Sequence, residues 1–392
     1  AVDLHAGPDR RWWWAALAVV ALGAVPRLLG LTAQSLWFDE LFSVWFSRPE
    51  LTAAEVVTRY SVDFHPLAYP LLLHGWLGLL GWTELAARLL SGLLGALGVA
   101  AAAWLGRRLA GPAGGLALAL VTAINPFQLQ YSHEVRPYAL AFLAAALSWA
   151  ALLELVERPG WRAAALWLLP TALALHTHYF ALLMAAAQLA AAAAVELATR
   201  RRREALAWLV ASGSAAALLL LPWLGPTLRA ARVTEYWPAR PEPGFALDYL
   251  GDYFGGAAWL GGSAAALLVA LPWLLRRRTA AAPDEGAREA RWAAVFGLAC
   301  ALVLGFAYVR SMLVVPMLMA RFTMVRSPHV QVPSIADCPV NFECRVERTE
   351  TFYGYLVAFL RVGGASIDDA ILFWPREQIA GLFPTHDVDC II

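Results

Sequence analysis

Two adjacent carboxylates, Asp39 and Glu40, lie inside an apolar run in the segment SLWFDELFSV at residues 35–44. They follow a stretch that is apolar enough to cross a membrane, where ionised groups are costly. One interpretation is a solvated acid pair that caps a short interfacial helix. The other is a functional pair, because acids flanked by tryptophan, phenylalanine and leucine are typical of sites built against lipid or protein.

The segment HEVRPY at residues 133–138 is a second candidate site. Glu134 and Arg136 form either a structural ion pair or an anion site in which the guanidinium binds phosphate through forked contacts. Pro137 is typical of the first turn of a helix. We therefore expect this segment to lie where one helix ends and the next begins.

Histidines form a third group, with His65 in DFHPLAY and His176 and His178 in LHTHYF. A histidine at a helix end is commonly a hydrogen-bonded structural residue. Three histidines near two acids would instead suit a divalent metal. His176 and His178 are two residues apart and would not share a helix face, so the metal stays an open alternative.

The composition is that of a polytopic membrane protein. Of 392 residues, 60% are hydrophobic and 15% are charged, and the mean hydropathy is +0.58. Soluble domains have about 45–50% apolar and about 25% charged residues. All 30 basic residues are arginine, and the net charge of +1 provides no basic field for nucleic acid, which we exclude as a partner.

Nine segments are predicted to cross the bilayer, since a spanning helix needs roughly 20 mostly apolar residues. They are 12–31, 84–105, 113–128, 138–156, 163–179, 180–197, 205–224, 256–275 and 292–309. A further apolar stretch, 67–82, begins HPLAYP, and proline disfavours a helix interior. We expect this stretch to lie along the outer interface without crossing.

Arginine clusters predict the orientation of these segments. They occur at 10–11, 107–108, 158–162, 200–203 and 276–278. If 67–82 does not cross, all five clusters lie on the cytoplasmic side, as the positive-inside rule requires. The acids and histidines then collect on the outer side. The predicted fold is an all-α polytopic membrane protein with about nine transmembrane helices and outer-face loops.

The apolar pattern stops at about residue 325 and the rest of the chain is mostly polar with short strand-like runs. We therefore predict a transmembrane domain at 1–325 and a small, mixed extracytoplasmic C-terminal segment at 326–392.

Three segments, taken in order, resemble a known enzyme family. They are LWFDELFSV, DFHPLAYPLLLHGWLGLLGWTELAARLLSGLLGAL and PFQLQYSHEVRPYAL. This order is similar to that of the bacterial C-type-fold glycosyltransferases of the protein O-mannosyltransferase and aminoarabinose transferase superfamily. The likeness is most specific over residues 12–140 and continues more loosely to about 322. Members usually carry several more crossings after that point, where this chain turns polar.

The resemblance implies a role for each matching residue. Asp39 matches the acid that is taken as the general base, and Glu40 matches its acidic neighbour. Arg321, in MARF, resembles an arginine that faces the lipid phosphate; its other interpretation is an interfacial arginine that reaches lipid head groups. The predicted catalytic residues are Asp39 and Glu40, and the predicted substrate-binding residues are His65, His133, Glu134, Arg136, His178 and Arg321.

The resemblance thus predicts a membrane glycosyltransferase in the bacterial cell membrane, with its site facing outward. It would move a sugar from a polyprenyl-phosphate donor to a hydroxyl on a protein, lipid or polysaccharide, with inversion of the anomeric centre. No cofactor is expected beyond the metal left open above. The alternatives are a non-catalytic member that binds lipid-linked sugar and a transporter of lipid-linked substrate, which would need ionisable groups near the bilayer midplane.

Overall fold

The computed structural model describes residues 10–33, 36, 38–61, 65–199, 203–231 and 283–313, and the backbone of four strands between 324 and 367. The helices are α1 (Arg10–Leu28), α2 (Phe38–Phe46), α3 (Ala53–Tyr60), α4 (Ala68–Leu80), α5 (Glu84–Ile124), α6 (Pro126–His133), α7 (Tyr138–Glu157), α8 (Trp161–Leu175), α9 (Phe180–Thr199), α10 (Arg203–Leu220), α11 (Leu224–Ala231) and α12 (Pro283–Leu313). The strands are β1 (Met324–Arg326), β2 (Pro333–Ile335), β3 (Val340–Phe352) and β4 (Tyr355–Ile367).

Contacts divide the chain into two units, and the helices up to residue 307 belong to the first. The second unit contains the strands, in which β1 pairs antiparallel with β2 and β3 pairs antiparallel with β4. The strands fit the mixed C-terminal segment that the sequence predicts. The domain boundary at residue 325 stays a prediction.

Helix α5 is a hairpin of two helical arms. The backbone reverses at Gly111, whose φ of +70° favours glycine. The arms approach so closely that a Cβ atom on Gly106 would lie 2.5 Å from the carbonyl oxygen of Gly114. The predicted crossings 84–105 and 113–128 therefore correspond to these two arms.

Among the described residues, five stretches are long and apolar enough to span a membrane, judged by length and composition. They are Glu84–Ile124, Tyr138–Glu157, Phe180–Thr199, Arg203–Arg229 and Arg288–Leu313, and each overlaps a predicted crossing. Helix α8 has only 15 residues. The predicted segment 256–275 lies outside the described residues, so nine crossings remain a prediction.

Helix α4 has 13 residues and rises about 20 Å, less than the roughly 30 Å of a bilayer core. Helix α8, within the predicted crossing 163–179, is nearly as short, so whether 67–82 crosses stays a prediction.

Arginine–glutamate pairs gather at one end of the helical unit, which we call the arginine-rich end. Arg108 on α5 pairs with Glu154 on α7. Further pairs at this end join α12 to α7 and α9, among them Arg288–Glu157 at 2.6 Å and Arg291–Glu196 at 3.2 Å. Of the predicted arginine clusters, 107–108 therefore lies at this end, whereas 276–278 and most of 200–203 lie outside the described residues.

A buried, uncharged hydrogen-bond network joins α7, α8 and α9 between their ends. The Gln188 Oε1 atom accepts hydrogen bonds from the Ser148 hydroxyl at 3.0 Å and from Trp167 Nε1 at 3.1 Å. The Ser148 hydroxyl also lies 2.8 Å from the Thr171 hydroxyl. All four side chains are fully buried, so the network fixes how the three helices pack.

Candidate active site

Glu40 lies in the first turn of α2, where the helix dipole favours an acid. Its side chain is fully buried, and both carboxylate oxygens accept hydrogen bonds from Arg88 on α5. The distances are 3.1 Å from Nε to Oε1 and 2.8 Å from Nη2 to Oε2. The backbone N–H of Val135 also donates to Oε1 at 2.8 Å. Glu40 thus joins α2, α5 and the loop between α6 and α7.

Arg88 binds two further groups from its buried position. Its Nη1 donates to the carbonyl of Leu31, just after α1, at 2.8 Å. The same atom donates to Glu84 Oε1, one turn earlier on α5, at 2.9 Å. A single guanidinium therefore holds the end of α1, the start of α2 and the start of α5 together.

Asp39 has different surroundings from those of its neighbour. Its side chain is 39% exposed, whereas that of Glu40 is 1% exposed. The Oδ2 atom lies 3.5 Å from Nη2 of Arg136. Of the two adjacent acids, Asp39 is therefore the one that a substrate in solvent can reach.

Arg136 is buried behind Asp39 and contacts α2 at several atoms. Its Nη1 lies 3.3 Å from the Asp39 carbonyl and 3.4 Å from the Ser43 hydroxyl, which itself donates to that carbonyl at 2.9 Å. Its Nη2 lies 3.5 Å from Nδ1 of His65. The residues that surround this guanidinium are Ser43, Tyr60, His65, Tyr69, Pro70 and Pro137.

His65 and His178 come from separate loops that are tied together by their backbones. The ring centroids are 5.4 Å apart, and Tyr138 lies 5.9 Å from His178. The N–H of Ala68, at the start of α4, donates to the carbonyl of His176 at 2.6 Å. The structure thus brings the predicted residues His65 and His178 to the same place.

His178 is held neutral by its surroundings. Burial lowers its pKa to about 3, with smaller contributions from His65 and Arg136. The backbone N–H of Phe180 donates to Nδ1 at 3.1 Å, so we assign the ring proton to Nε2. At neutral pH the ring therefore offers one N–H donor and carries no charge.

Glu134 lies at the end of α6, where Gln130 Nε2 donates to its Oε1 at 3.2 Å. Burial is the main cause that raises the pKa of Glu134 to about 7, and the nearby acids Glu40 and Asp39 raise it further. Gln130 and Arg136 act in the opposite direction. This carboxyl group therefore changes its charge near neutral pH.

His133 contacts α1. Its Nε2 lies 2.8 Å from the carbonyl of Pro26 and donates to it, because a carbonyl only accepts. The adjacent Arg27 is fully buried and donates to the last carbonyls of α5, those of Thr122 and Ala123, at 2.8 and 2.9 Å. His133 therefore contacts the C-terminal end of α1.

Arg321 lies outside the described residues, and its phosphate role stays a prediction. Within the described ranges, no three His, Cys, Asp or Glu side chains are grouped so that they could hold a metal ion. The metal alternative therefore gains no support from this part of the chain.

Arg88 is the main residue of the site that was not predicted from the sequence. The sequence did contain an indication of its role, because Arg88 lies one turn inside the predicted crossing 84–105 and four residues after Glu84. Such an arginine is rarely left without a partner in a membrane protein.

Comparison with protein families gives one match. Residues 64–225 match the family described as dolichyl-phosphate-mannose-protein mannosyltransferase. This range contains His65, Arg88, Glu134, Arg136 and His178, whereas Asp39 and Glu40 precede it. No curated protein matches the chain.

At the level of the family, the match indicates a glycosyltransferase of the polyprenyl-phosphate-mannose type. The resemblance predicted from the sequence is therefore confirmed: over residues 64–225 the chain is similar to the dolichyl-phosphate-mannose-protein mannosyltransferases.

Proposed function

We propose that this chain transfers a sugar from a polyprenyl-phosphate donor to a hydroxyl acceptor on the extracytoplasmic face of the bacterial cell membrane. The observation that carries the proposal is the pair formed by the exposed Asp39 carboxylate and the buried Arg136 guanidinium, 3.5 Å apart. Hydroxyl transfer needs a base beside the attacking oxygen and a cation beside the departing phosphate. This pair provides both.

In the proposed reaction, Asp39 removes the proton of the acceptor hydroxyl as its oxygen attacks the anomeric carbon. The bond between that carbon and the phosphate oxygen breaks, and the polyprenyl phosphate leaves with the bonding electrons. Arg136 stabilises the negative charge that develops on the phosphate. Attack opposite the departing phosphate inverts the anomeric centre.

Glu40 takes a positioning role in this proposal, because its two oxygens already bind Arg88 and Val135. His178 contributes an uncharged N–H donor beside His65, suited to a sugar hydroxyl. Arg321 would add a second cation for the lipid phosphate. The family match names mannose on dolichyl phosphate and a protein, so a polyprenyl-phosphate mannose and a serine or threonine hydroxyl are the first pair to test.

A transporter receives less support from the described helices. Their buried arginine–glutamate pairs lie at the two ends of the bundle, and the network around Gln188 between those ends is uncharged. A transporter of lipid-linked substrate would be expected to hold ionisable groups near the midplane.

The test is a transfer assay in membranes that contain the chain, supplied with radiolabelled polyprenyl-phosphate mannose and an acceptor peptide. We expect Asp39→Asn to lower the turnover rate by roughly 10²–10⁴-fold, the usual contribution of a general base. The matched control is Glu50→Gln, which removes an exposed acid in the turn after α2. Transfer that is unchanged in folded Asp39→Asn protein would exclude Asp39 as the base. Lipid-sugar binding without transfer in the wild type would favour the non-catalytic alternative.

A further inference from the structure

Arg107, at the arginine-rich end, has no carboxylate partner in the part of the chain that the structure describes. It is half-buried in α5, close to the reversal at Gly111, and one donor atom, Nη1, is buried without a hydrogen-bond partner. Its neighbour Arg108 pairs with Glu154. A half-buried guanidinium in a membrane helix normally pairs with an anion. We therefore expect Arg107 to bind an anion that is not among the described residues.

Trp12 holds this guanidinium in a fixed place. The Arg107 carbon that carries the charge lies 4.3 Å from the centre of the Trp12 ring, which is a cation–π contact. The ring itself is fixed, because its Nε1 donates to the carbonyl of Pro112 at 2.9 Å. Arg107 is therefore preorganised toward the surface between α1 and the α5 hairpin.

The same surface is suited to a lipid head group. Arg10 and Arg11 precede Trp12 in α1 and add positive charge, and both are exposed. Trp13 and Trp14 are 49% and 63% exposed, as is typical of tryptophans at the head-group level of a bilayer. Basic pockets between transmembrane helices are known to bind anionic head groups.

We propose that Arg107, Trp12 and the start of α1 form a binding site for the phosphate of an anionic phospholipid. Arg107 would bind the phosphate oxygens through the fork of its Nε and Nη2 N–H groups, because Nη1 is buried. Arg10 and Arg11 would add long-range attraction, and the exposed tryptophans would contact the glycerol and upper acyl region. This site lies at the opposite end of the bundle from Asp39 and does not depend on the proposed transferase activity.

The distance between the two ends supports this separation. Arg88, which binds Glu40, and Arg108 are 20 residues apart in the first arm of α5. At 1.5 Å per residue they lie about 30 Å apart, which is the thickness of the bilayer core.

The experiment measures the thermal unfolding of detergent-purified full-length chain with added phosphatidylglycerol, phosphatidylcholine or glycerol 3-phosphate. We expect phosphatidylglycerol to raise the unfolding midpoint by about 2–4 °C at saturation, and the other two to leave it unchanged. For Arg107→Gln, we expect the phosphatidylglycerol concentration needed for half of the shift to rise roughly tenfold or more, because a charged hydrogen bond is lost.

Two further variants keep the test decisive. Arg59→Gln is the matched control, because Arg59 in α3 also lies over an aromatic ring, that of Phe46 in α2. This variant should keep the full phosphatidylglycerol shift of the unfolding midpoint. Arg107→Lys keeps the charge without the fork and should bind with intermediate affinity, which also covers the case in which Arg107→Gln fails to fold. An undiminished shift in Arg107→Gln, or an equal shift with phosphatidylcholine, would overturn the proposal. An equal shift with glycerol 3-phosphate would identify a soluble-phosphate site instead of a lipid site.

Discussion

Arg88 and Glu40 are 48 residues apart in sequence and form a two-contact ion pair that is almost completely buried, with atom distances of 2.8 and 3.1 Å. We expect Arg88→Gln to destabilise the chain by about 3–5 kcal/mol, because it removes both guanidinium contacts of the buried Glu40 carboxylate. Glu40→Gln should cost less, since Arg88 keeps its ion pair with Glu84. The double variant should cost less than the sum of the two. The measurement is a double-mutant cycle on the free energy of unfolding. Strictly additive effects would show that the two side chains do not interact in the membrane.

The Arg136 guanidinium should determine how tightly the donor binds. Arg136→Ala should raise the KM for the polyprenyl-phosphate sugar by roughly tenfold or more, since a charged hydrogen bond to phosphate is worth about 1.5–3 kcal/mol. Arg136→Lys should recover only part of this loss, because an ammonium group cannot make a forked contact. The measurement is steady-state kinetics with donor and acceptor varied separately. A fall in thermal stability with no change in the donor KM or in the turnover rate would instead assign Arg136 a purely structural ion pair with Asp39.

Glu134 should make the stability of the chain depend on pH. Its pKa is raised to about 7, above its ordinary value of 4.5, so the folded chain binds the proton more tightly than the unfolded chain does. This contribution to stability is fully present below pH 4.5 and is lost as the pH rises to 7, by roughly 1–3 kcal/mol after allowance for partial exposure. The measurement is the unfolding midpoint between pH 5 and pH 8.

Glu134→Gln should flatten that pH profile, and Glu50→Gln should leave its slope as in the wild type. A wild-type slope that survives in Glu134→Gln would mean that another group is responsible.

The Gln188 network should stabilise the packing of α7, α8 and α9. Gln188→Leu removes the acceptor of Trp167 and Ser148 and leaves these donors buried in an apolar bundle. Hydrogen bonds between membrane helices contribute about 0.6–2 kcal/mol, so we expect a loss in that range. Gln188→Glu keeps an acceptor in a side chain of similar shape. Comparing the thermal unfolding of Gln188→Glu and Gln188→Leu therefore distinguishes the loss of the hydrogen bonds from the change in side-chain shape. No change with Gln188→Leu would contradict the role of the network.

The neutral ring of His178 should stabilise the backbone of its own loop by accepting the hydrogen bond from Phe180. His178→Phe removes the acceptor of the Phe180 N–H and should lower stability by about 1–3 kcal/mol, the cost of a buried donor without a partner. His178→Asn places an oxygen close to the position of Nδ1 and should be milder. The measurement is the unfolding midpoint of the two variants at one pH. Equal losses would mean that this hydrogen bond is not the source of the effect.

The sequence predicted the helices better than it predicted the contacts between them. Apolar length located the two arms of α5 and the helices that follow, because a spanning segment must satisfy all its backbone groups internally. Among the arginine clusters, 107–108 lies at the arginine-rich end, and the grouping of all five stays a prediction because 276–278 and most of 200–203 lie outside the described residues. The roles of Glu40 and His133 could not be predicted, since their partners are Arg88 and the carbonyl of Pro26, which lie 48 and 107 residues away. Only the packed structure brings such groups together.

The difference between the two adjacent acids also depends on packing. Sequence neighbours in a helix point in different directions, so the residue pattern identified Asp39 and Glu40 only as a pair, and the assignment of the base to Asp39 came from the family resemblance. The structure separates them by exposure, with Asp39 open to solvent and Glu40 enclosed.

The order in which the site is synthesised follows from the contacts of Arg88. The ribosome releases the chain from its N-terminus, and the contacts of Glu40, Arg88 and Arg136 described above involve residues between Leu31 and His178. Helices α10 to α12 emerge later. The nascent chain can therefore neutralise its buried charges while it is still being inserted, before the later helices reach the translocation channel, and it need not expose Arg88 or Glu40 to lipid during that interval.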